Sequence, residues 1–203
     1  MRMVHPDVYF KKRIAYTCRG QSFTFDVGHT IFSSFQIDPG TDLLLRTIEV
    51  TAPRRILDLG CGCGVIGIVL ARCFPSAQVT ALDKDLLAVR YARHNAEMNA
   101  ITNMCVIGSV GLEHAPVGDY DLIVSNIPAK IGDMAIEQDF ILDPVARLYP
   151  GGDLWLVVVS GLNRLIPAIA TRWHLKLKEV KKRSGHTVYH LHKPEECQDY
   201  DLH

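Results

Sequence analysis

The chain carries DLGCGCGVIG from Asp58 to Gly67, four glycines in ten residues, wedged between two apolar runs. The run before it, RRILDLG, is short and rich in aliphatic residues, as a buried strand is. The run after it, VIGIVLARCF, is long enough for a helix and stops at Pro75. Strand, tight turn and helix make the first half of a parallel unit. The next parallel strand can be reached only through a crossover of about a dozen residues or more. The sequence therefore has to keep alternating, and it does.

AQVTALD reads as a second strand, KDLLAVRYARHNAEMN as a second helix, NMCVIGS as a short third strand and YDLIVSNIP as a fourth. A helical stretch then runs through Leu148, with Pro144 expected to kink or split it. LYPGG reads as a turn before a fifth strand, DLWLVVVS, apolar enough to be covered on both faces. Leu162 to Trp173 is helical at least from Pro167, placed as the first helical residue. LKLKEVKKR and HTVYHLHK alternate and meet at Ser184-Gly185, so they close the sheet as an antiparallel hairpin. The expected fold class is α/β, a doubly wound, seven-stranded mixed sheet.

Ahead of this unit, Ile14, Tyr16 and Cys18 share one strand face and Phe23, Phe25 and Val27 another, with Gly20 at the turn. They predict a β-hairpin over 13–27. Asp38 followed by Pro39 has the pattern of a helix N-cap with proline in the first turn. Leu43, Leu44, Leu45 and Ile48 then form a buried helical face that ends near Val50. The organisation expected is a hairpin extension over 1–30, one larger domain over 31–193 and a loose acidic tail over 194–203.

Composition narrows the class. Hydrophobic residues make up 48% and charged ones 22%, a globular rather than a disordered balance. The formal charge is zero, so no global field favours a nucleic-acid partner and only a local basic patch remains open. Lys176, Lys178, Lys181, Lys182 and Arg183 near the last hairpin offer one, with Lys11, Lys12 and Arg13 near the first. Charged edge strands also keep sheets from pairing with one another, which explains the final cluster adequately. No apolar run is long enough to cross a bilayer, and the first residues lack the apolar core of an export signal. A cytoplasmic protein with reduced thiols and no membrane association is expected. The six cysteines form no C-x-x-C pair and no finger-like spacing with histidine, so no metal is expected. His186, His190 and His192 fall on one strand face and read as an exposed edge.

In a doubly wound sheet the ligand crevice lies beyond the C-terminal ends of the strands. The residues there are Asp58 to Gly64, Asp83, Ser109 and Asn126. Glycines in the first turn let backbone approach a ligand and leave amide N–H groups to bind it. Asp83, ending the second strand, can accept both hydroxyls of a ribose. An adenosine-type ligand follows; the plainer alternative is a tight turn and a helix cap with no ligand. G-C-G-V-I-G, read from Gly62, fits a dinucleotide pattern. A carboxylate at Asp58, however, would repel a pyrophosphate and favour the sulfonium and ammonium groups of S-adenosylmethionine.

ILDLGCGCG at 56–64 resembles motif I of the class I S-adenosylmethionine-dependent methyltransferases. Asp83 resembles their acidic residue after the second strand, and YDLIVSNIP at 120–128 their fourth-strand motif. IFSSFQIDPGTDLLL at 31–45 resembles more narrowly the segment leading into the methyltransferase small domain family. That family includes the ribosomal RNA guanine-N2 methyltransferases, with the release-factor glutamine methyltransferases as neighbours. The N-terminal hairpin and the PGG turn also fit it. The resemblance covers roughly residues 13–193 and implies a Rossmann-like fold. It implies that Gly60, Gly62 and Gly64 touch the methionine and ribose parts of the cofactor. Asp58 would sit near its ammonium group and Asp83 on the ribose hydroxyls. Lys84 would flank the adenine, Ser109 approach the adenine amino group, and Thr41, with Gly40, border the methionine carboxylate. Thr41 reads equally well as a hydroxyl in the first turn of a helix.

At the end of the fourth strand, enzymes of this kind that methylate planar amino groups usually have Asn-Pro-Pro followed by Tyr or Phe; here the stretch is N-I-P-A, Asn126 to Ala129. Asn126 and Pro128 remain as the catalytic positions. The resemblance implies that the Asn126 side-chain carbonyl and a neighbouring backbone carbonyl accept from the target amino group and aim its lone pair. Ile127 replaces the first proline. Ala129 replaces the aromatic that stacks on a flipped base or covers an amide. Lys130 faces a phosphate or acidic substrate, or is simply solvated. The function implied is methylation of an exocyclic amino or amide nitrogen, with ribosomal RNA guanine N2 as first choice. A protein glutamine or small-molecule acceptor and a non-catalytic cofactor-binding module remain as alternatives. On G-C-G-V-I-G alone, a dehydrogenase remains as another.

Overall fold

The computed structural model describes residues 7–29 and 36–195. Two antiparallel strands, β1 (Phe10–Cys18) and β2 (Gln21–Gly28), form a sheet of their own, which is the expected N-terminal hairpin. The main sheet contains β3 (Arg55–Leu59), β4 (Gln78–Asp83), β5 (Met104–Gly108), β6 (Tyr120–Asn126), β7 (Leu148–Val159), β8 (Leu177–Arg183) and β9 (His186–His192). Their order is β5-β4-β3-β6-β7-β9-β8, and β9 alone runs against its neighbours. The chain reverses direction of travel between β3 and β6, so the ends of β3, β4, β5 and β6 open on one crevice.

Helices α1 (Pro39–Thr47), α2 (Val65–Cys73) and α3 (Leu86–Met98) cover one face. Helices α4 (Asp133–Glu137), α5 (Asp143–Ala146) and α6 (Leu165–Arg172) belong to the other. Adjacent strand residues divide between the two: Ile56, Leu122, Val124, Trp155 and Val157 join the first core, and Leu57, Ile123, Leu154, Leu156 and Val158 the second. Burial on both faces explains why these strands read as continuous apolar runs rather than alternating ones.

Several local expectations change. LYPGG is not a free turn: it belongs to β7, where Leu148 pairs with Tyr120 and the register then jumps so that Asp153 meets Leu122. Gly152 is required at that bulge, because a Cβ there would lie 2.9 Å from Tyr149 O and 3.0 Å from Tyr120 O. Pro167 is third in α6 rather than first, after a short 3-10 turn at Ser160–Leu162. Helix α1 stops at Thr47, where Ile48 turns to φ −55° and ψ 124°. The helical stretch before β7 is broken as expected, and the break is a π-helical turn over Gln138–Leu142 directly ahead of Asp143-Pro144. Proline supplies no N–H to the preceding turn, so that turn widens. The histidines of β9 do not form an exposed edge, because β8 lies outside them. His190 and His192 bond to Asp153 at 2.7 and 2.9 Å, and His190 stacks on Trp155. The edge is β8, whose lysines are exposed.

The hairpin is fastened to α3 by a device that periodicity does not reveal. Asn95 accepts from Asp26 N at 2.8 Å and donates back to Asp26 O at 3.0 Å. One turn later, Asn99 does the same with Thr24, at 3.0 and 2.7 Å. Two side-chain amides thus stand in for the missing neighbour strand of β2. The Asp26 carboxylate, itself buried, holds Arg13 at 2.7 Å and His94 at 2.9 Å. The IFSSF part of the 31–45 motif, and the tail from 196 onwards, lie outside the described residues.

Candidate active site

The strand ends enclose a cavity of about 300 Å³. Thr41, Gly60, Gly62, Asp83, Lys84, Ser109, Asn126 and Pro128 all line it. Asp58 and Gly64 do not. Gly64 is the N-cap of α2, at φ 87°, and a Cβ there would lie 3.1 Å from that of Ala92, so it is a close-packing glycine. Asp58 is wholly buried behind the turn, where its Oδ2 accepts from Gly67 N at 2.8 Å and its Oδ1 has no partner among the described residues. Burial pushes this carboxyl up to about 7; the Gly67 amide opposes the shift and the nearby Asp83 adds to it.

Four amides of the turn are not free for a ligand, contrary to expectation. Gly60 N and Cys61 N donate to Leu82 O at 2.8 and 2.9 Å, Gly62 N to Asp83 Oδ2 at 2.8 Å, and Gly64 N to Cys61 O at 2.9 Å. The reason for three of the four lies at the end of β4, where the Leu82 carbonyl and the Asp83 carboxylate accept from the turn. What the turn offers is close approach, since Gly62 sits at φ 55° with nothing among the described residues within 4 Å of its missing Cβ. A phosphate-binding loop needs unspent amides, and this one has given four away.

Charge points the same way. Among the described residues, the lining holds four carboxylates, Asp38, Asp83, Asp85 and Asp139, against one cation, Lys84. Such a wall favours a ligand carrying sulfonium and ammonium groups over a diphosphate. Asp83 Oδ1 accepts from Asp85 N at 2.9 Å, which anchors the carboxylate at the rim with lone pairs left for hydroxyl donors. Ser109 is engaged with its own loop: its Oγ donates to Gly111 O at 3.1 Å and accepts from His114 N at 3.0 Å.

On the opposite wall, Asp38 caps α1, accepting from Gly40 N and Thr41 N at 2.8 and 3.0 Å. The same Oδ1 accepts from Asn126 Nδ2 at 2.8 Å, and Thr41 Oγ1 accepts from that nitrogen at 3.0 Å. A carboxylate can only accept, so it decides which end of the Asn126 amide is nitrogen. Both amide hydrogens are then spent. Oδ1 of Asn126 takes no hydrogen bond among the described residues. Sequence reasoning had Asp38 as a helix cap and missed this second role, which no spacing signal carries.

The departures in N-I-P-A acquire reasons. Ile127 is buried and its N–H donates to Val157 O at 3.0 Å, a ladder bond that proline could not make. Ala129 and Lys130 are exposed and outside the lining. Among the described residues, no cluster of three or more His, Cys, Asp or Glu is placed to hold a metal. No helix among them is long and apolar enough to cross a membrane.

The sheet order, the glycine turn behind an acidic rim and the asparagine ending β6 define the class I methyltransferase fold. The model of the methyltransferase small domain family matches residues 22–190, and the chain belongs to that family, whose cofactor is S-adenosylmethionine. Among its relatives is "Ribosomal RNA small subunit methyltransferase C" of Hahella chejuensis, 39% identical over 140 residues, covering 68% of this chain and 39% of the relative. The protein of the same name from Pseudomonas aeruginosa is 36% identical over 162 residues, covering 78% of this chain and 48% of the relative. A solved structure from T. thermophilus is described as a 16S rRNA N2 G1207 methyltransferase (RsmC) in complex with AdoMet and guanosine. It aligns at 27% identity with a TM-score of 0.78, covering 90% of this chain and 50% of that one. The chain thus spans about half the length, or less, of the relatives it matches.

Proposed function

We propose that this protein transfers a methyl group from S-adenosylmethionine to an exocyclic amino nitrogen, with guanine N2 of ribosomal RNA as the acceptor. The observation that carries the reading is the fixed amide of Asn126. Its nitrogen is bound by Asp38 and Thr41, so its carbonyl oxygen is the acceptor left to the cavity. An amino group donating to that oxygen, and to a backbone carbonyl near Pro128, has both hydrogens held in the plane and its lone pair turned out of it. Catalysis by orientation of this sort needs no general base in place before the bond forms. The relatives' names and the guanosine beside AdoMet in the T. thermophilus structure support guanine over glutamine.

When bound, the cofactor supplies an electrophilic methyl group on a positively charged sulfur. The chain's part is to hold it. Asp83 takes the ribose hydroxyls, Gly60 and Gly62 allow the chain to lie close, and Lys84 and Ser109 border the adenine. Thr41 stands between the methionine end and Asn126, and Asp58 stabilises the turn from behind. The acidic lining disfavours the dinucleotide alternative.

Calorimetry with S-adenosylhomocysteine and with NAD tests the cofactor, and tritium transfer to undermethylated small-subunit ribosomal RNA tests the acceptor. Binding of the first ligand alone, followed by labelling of the RNA at guanine N2, is the expected result. Binding of NAD alone would overturn the reading. Binding of S-adenosylhomocysteine with no transfer to any acceptor would leave a cofactor-binding module.

A further inference from the structure

Family members with an aromatic residue after Asn-Pro-Pro have a surface on which a planar acceptor can lie; this chain has Ala129, which is exposed and is not part of the cavity lining. The cavity nevertheless contains an aromatic ring, and it comes from another element. Phe140 is half-buried and lines the cavity, and its Cε1 stands 3.5 Å from the position a Cβ would take on Gly60. Gly60 and Asn126 both line the cavity, each two residues beyond the paired Asp58 and Val124 of β3 and β6. Ser125 Oγ holds that junction, donating to Leu59 O at 2.7 Å. The ring therefore stands over the glycine turn, in the cavity that the amino-orienting asparagine also lines.

We propose that Phe140 is the stacking surface for the acceptor base, supplied from the π-helical turn in place of the aromatic absent at position 129. This rests on the reading of the acceptor as a guanine. The turn is built for such a placement. Ile136 before the turn and Ile141 within it are buried in the core at 1% and 0% exposure, which anchors the segment. The widened turn over Gln138–Leu142 sends Asp139 and Phe140 to the cavity instead. Single π-helical turns inside helices occur frequently at functional sites. Aromatic stacking tolerates a change of supporting element, because it requires only a flat apolar face at van der Waals distance.

The test compares Phe140→Leu, which keeps apolar bulk but has no ring, with Phe140→Tyr and Phe140→Trp, which keep one. Base–aromatic stacking has the strength to change affinity about 5- to 150-fold. Phe140→Leu is expected to raise KM for undermethylated small-subunit ribosomal RNA within that range, with S-adenosylhomocysteine affinity held within about twofold. Phe140→Tyr and Phe140→Trp are expected to restore KM. A loss of S-adenosylhomocysteine affinity with KM unchanged would overturn the proposal and make Phe140 a cofactor cover. No change in either would overturn it too. If the wild-type protein labels no ribosomal RNA, the acceptor reading fails separately, and guanosine binding to the S-adenosylhomocysteine complex then decides. Binding that weakens in Phe140→Leu and recovers in Phe140→Tyr supports the stacking role. Equal binding by all variants, or none by the wild type, rejects it.

Discussion

Asp38 and Asn126 lie 88 residues apart in the chain, and Asp38 Oδ1 accepts the Asn126 side-chain N–H at 2.8 Å. One carboxylate thus caps α1 and fixes the amide at the end of β6. Asn126→Ala is expected to lower methyl transfer by about 100-fold, the scale of loss from misplaced reactants, while leaving cofactor affinity within a few-fold. Tritium transfer beside calorimetry measures both, and equal loss in the two would make the residue structural. Thr41→Val loosens the amide without touching the cap, so it should lower transfer with little change in stability. Asp38→Ala should do both, at about 1 kcal/mol for the cap.

Asp83 is expected to bind the ribose. Asp83→Ala should weaken S-adenosylhomocysteine by about 1.5–3 kcal/mol, as for hydrogen bonds to a charged group. An unchanged affinity would refute the role, and would show that the carboxylate serves only Gly62 N and Asp85 N.

Asn95 joins the hairpin to the cofactor turn, because its Nδ2 donates to Cys63 O at 2.9 Å as well as to Asp26 O. Removing it strands three buried backbone groups, where Asn99→Ala strands chiefly the two of Thr24. Asn95→Ala should therefore cost about 3 kcal/mol of stability in urea unfolding, and more than Asn99→Ala. A loss below about 1 kcal/mol for Asn95→Ala would mean that the hairpin packs without its amide ladder.

Two buried carboxyls pull the pH dependence of stability in opposite directions. Asp58, raised to about 7 by burial, keeps in the folded chain a proton that the unfolded chain releases near pH 4. Its contribution therefore declines as pH rises from about 4 to about 7, then levels off. Burial also works to raise Asp26, but the hydrogen bonds from Arg13 and His94 overcome it and hold that carboxyl below its ordinary value. Its contribution is complete above the unfolded pKa and is lost as pH falls through the folded one. Asp58→Asn should flatten the decline measured by urea unfolding between about pH 5 and pH 7. An identical decline in the variant would place its origin elsewhere.

The sequence by itself determined the strand–helix alternation, the closing hairpin, the cap at Asp38 and the strand ends where the cavity opens. These depend on periodicity, glycine and proline, which act within a few residues of themselves. Tertiary structure decided the rest. It spent three of the turn's amides on Leu82 and Asp83, buried Asp58 behind the turn, and made Asn95 and Asn99 a surrogate strand. It also set Asp38 against Asn126 and brought Phe140 over Gly60. Most of these are partnerships between groups far apart in the chain, which meet only after the strands and helices that carry them have packed together.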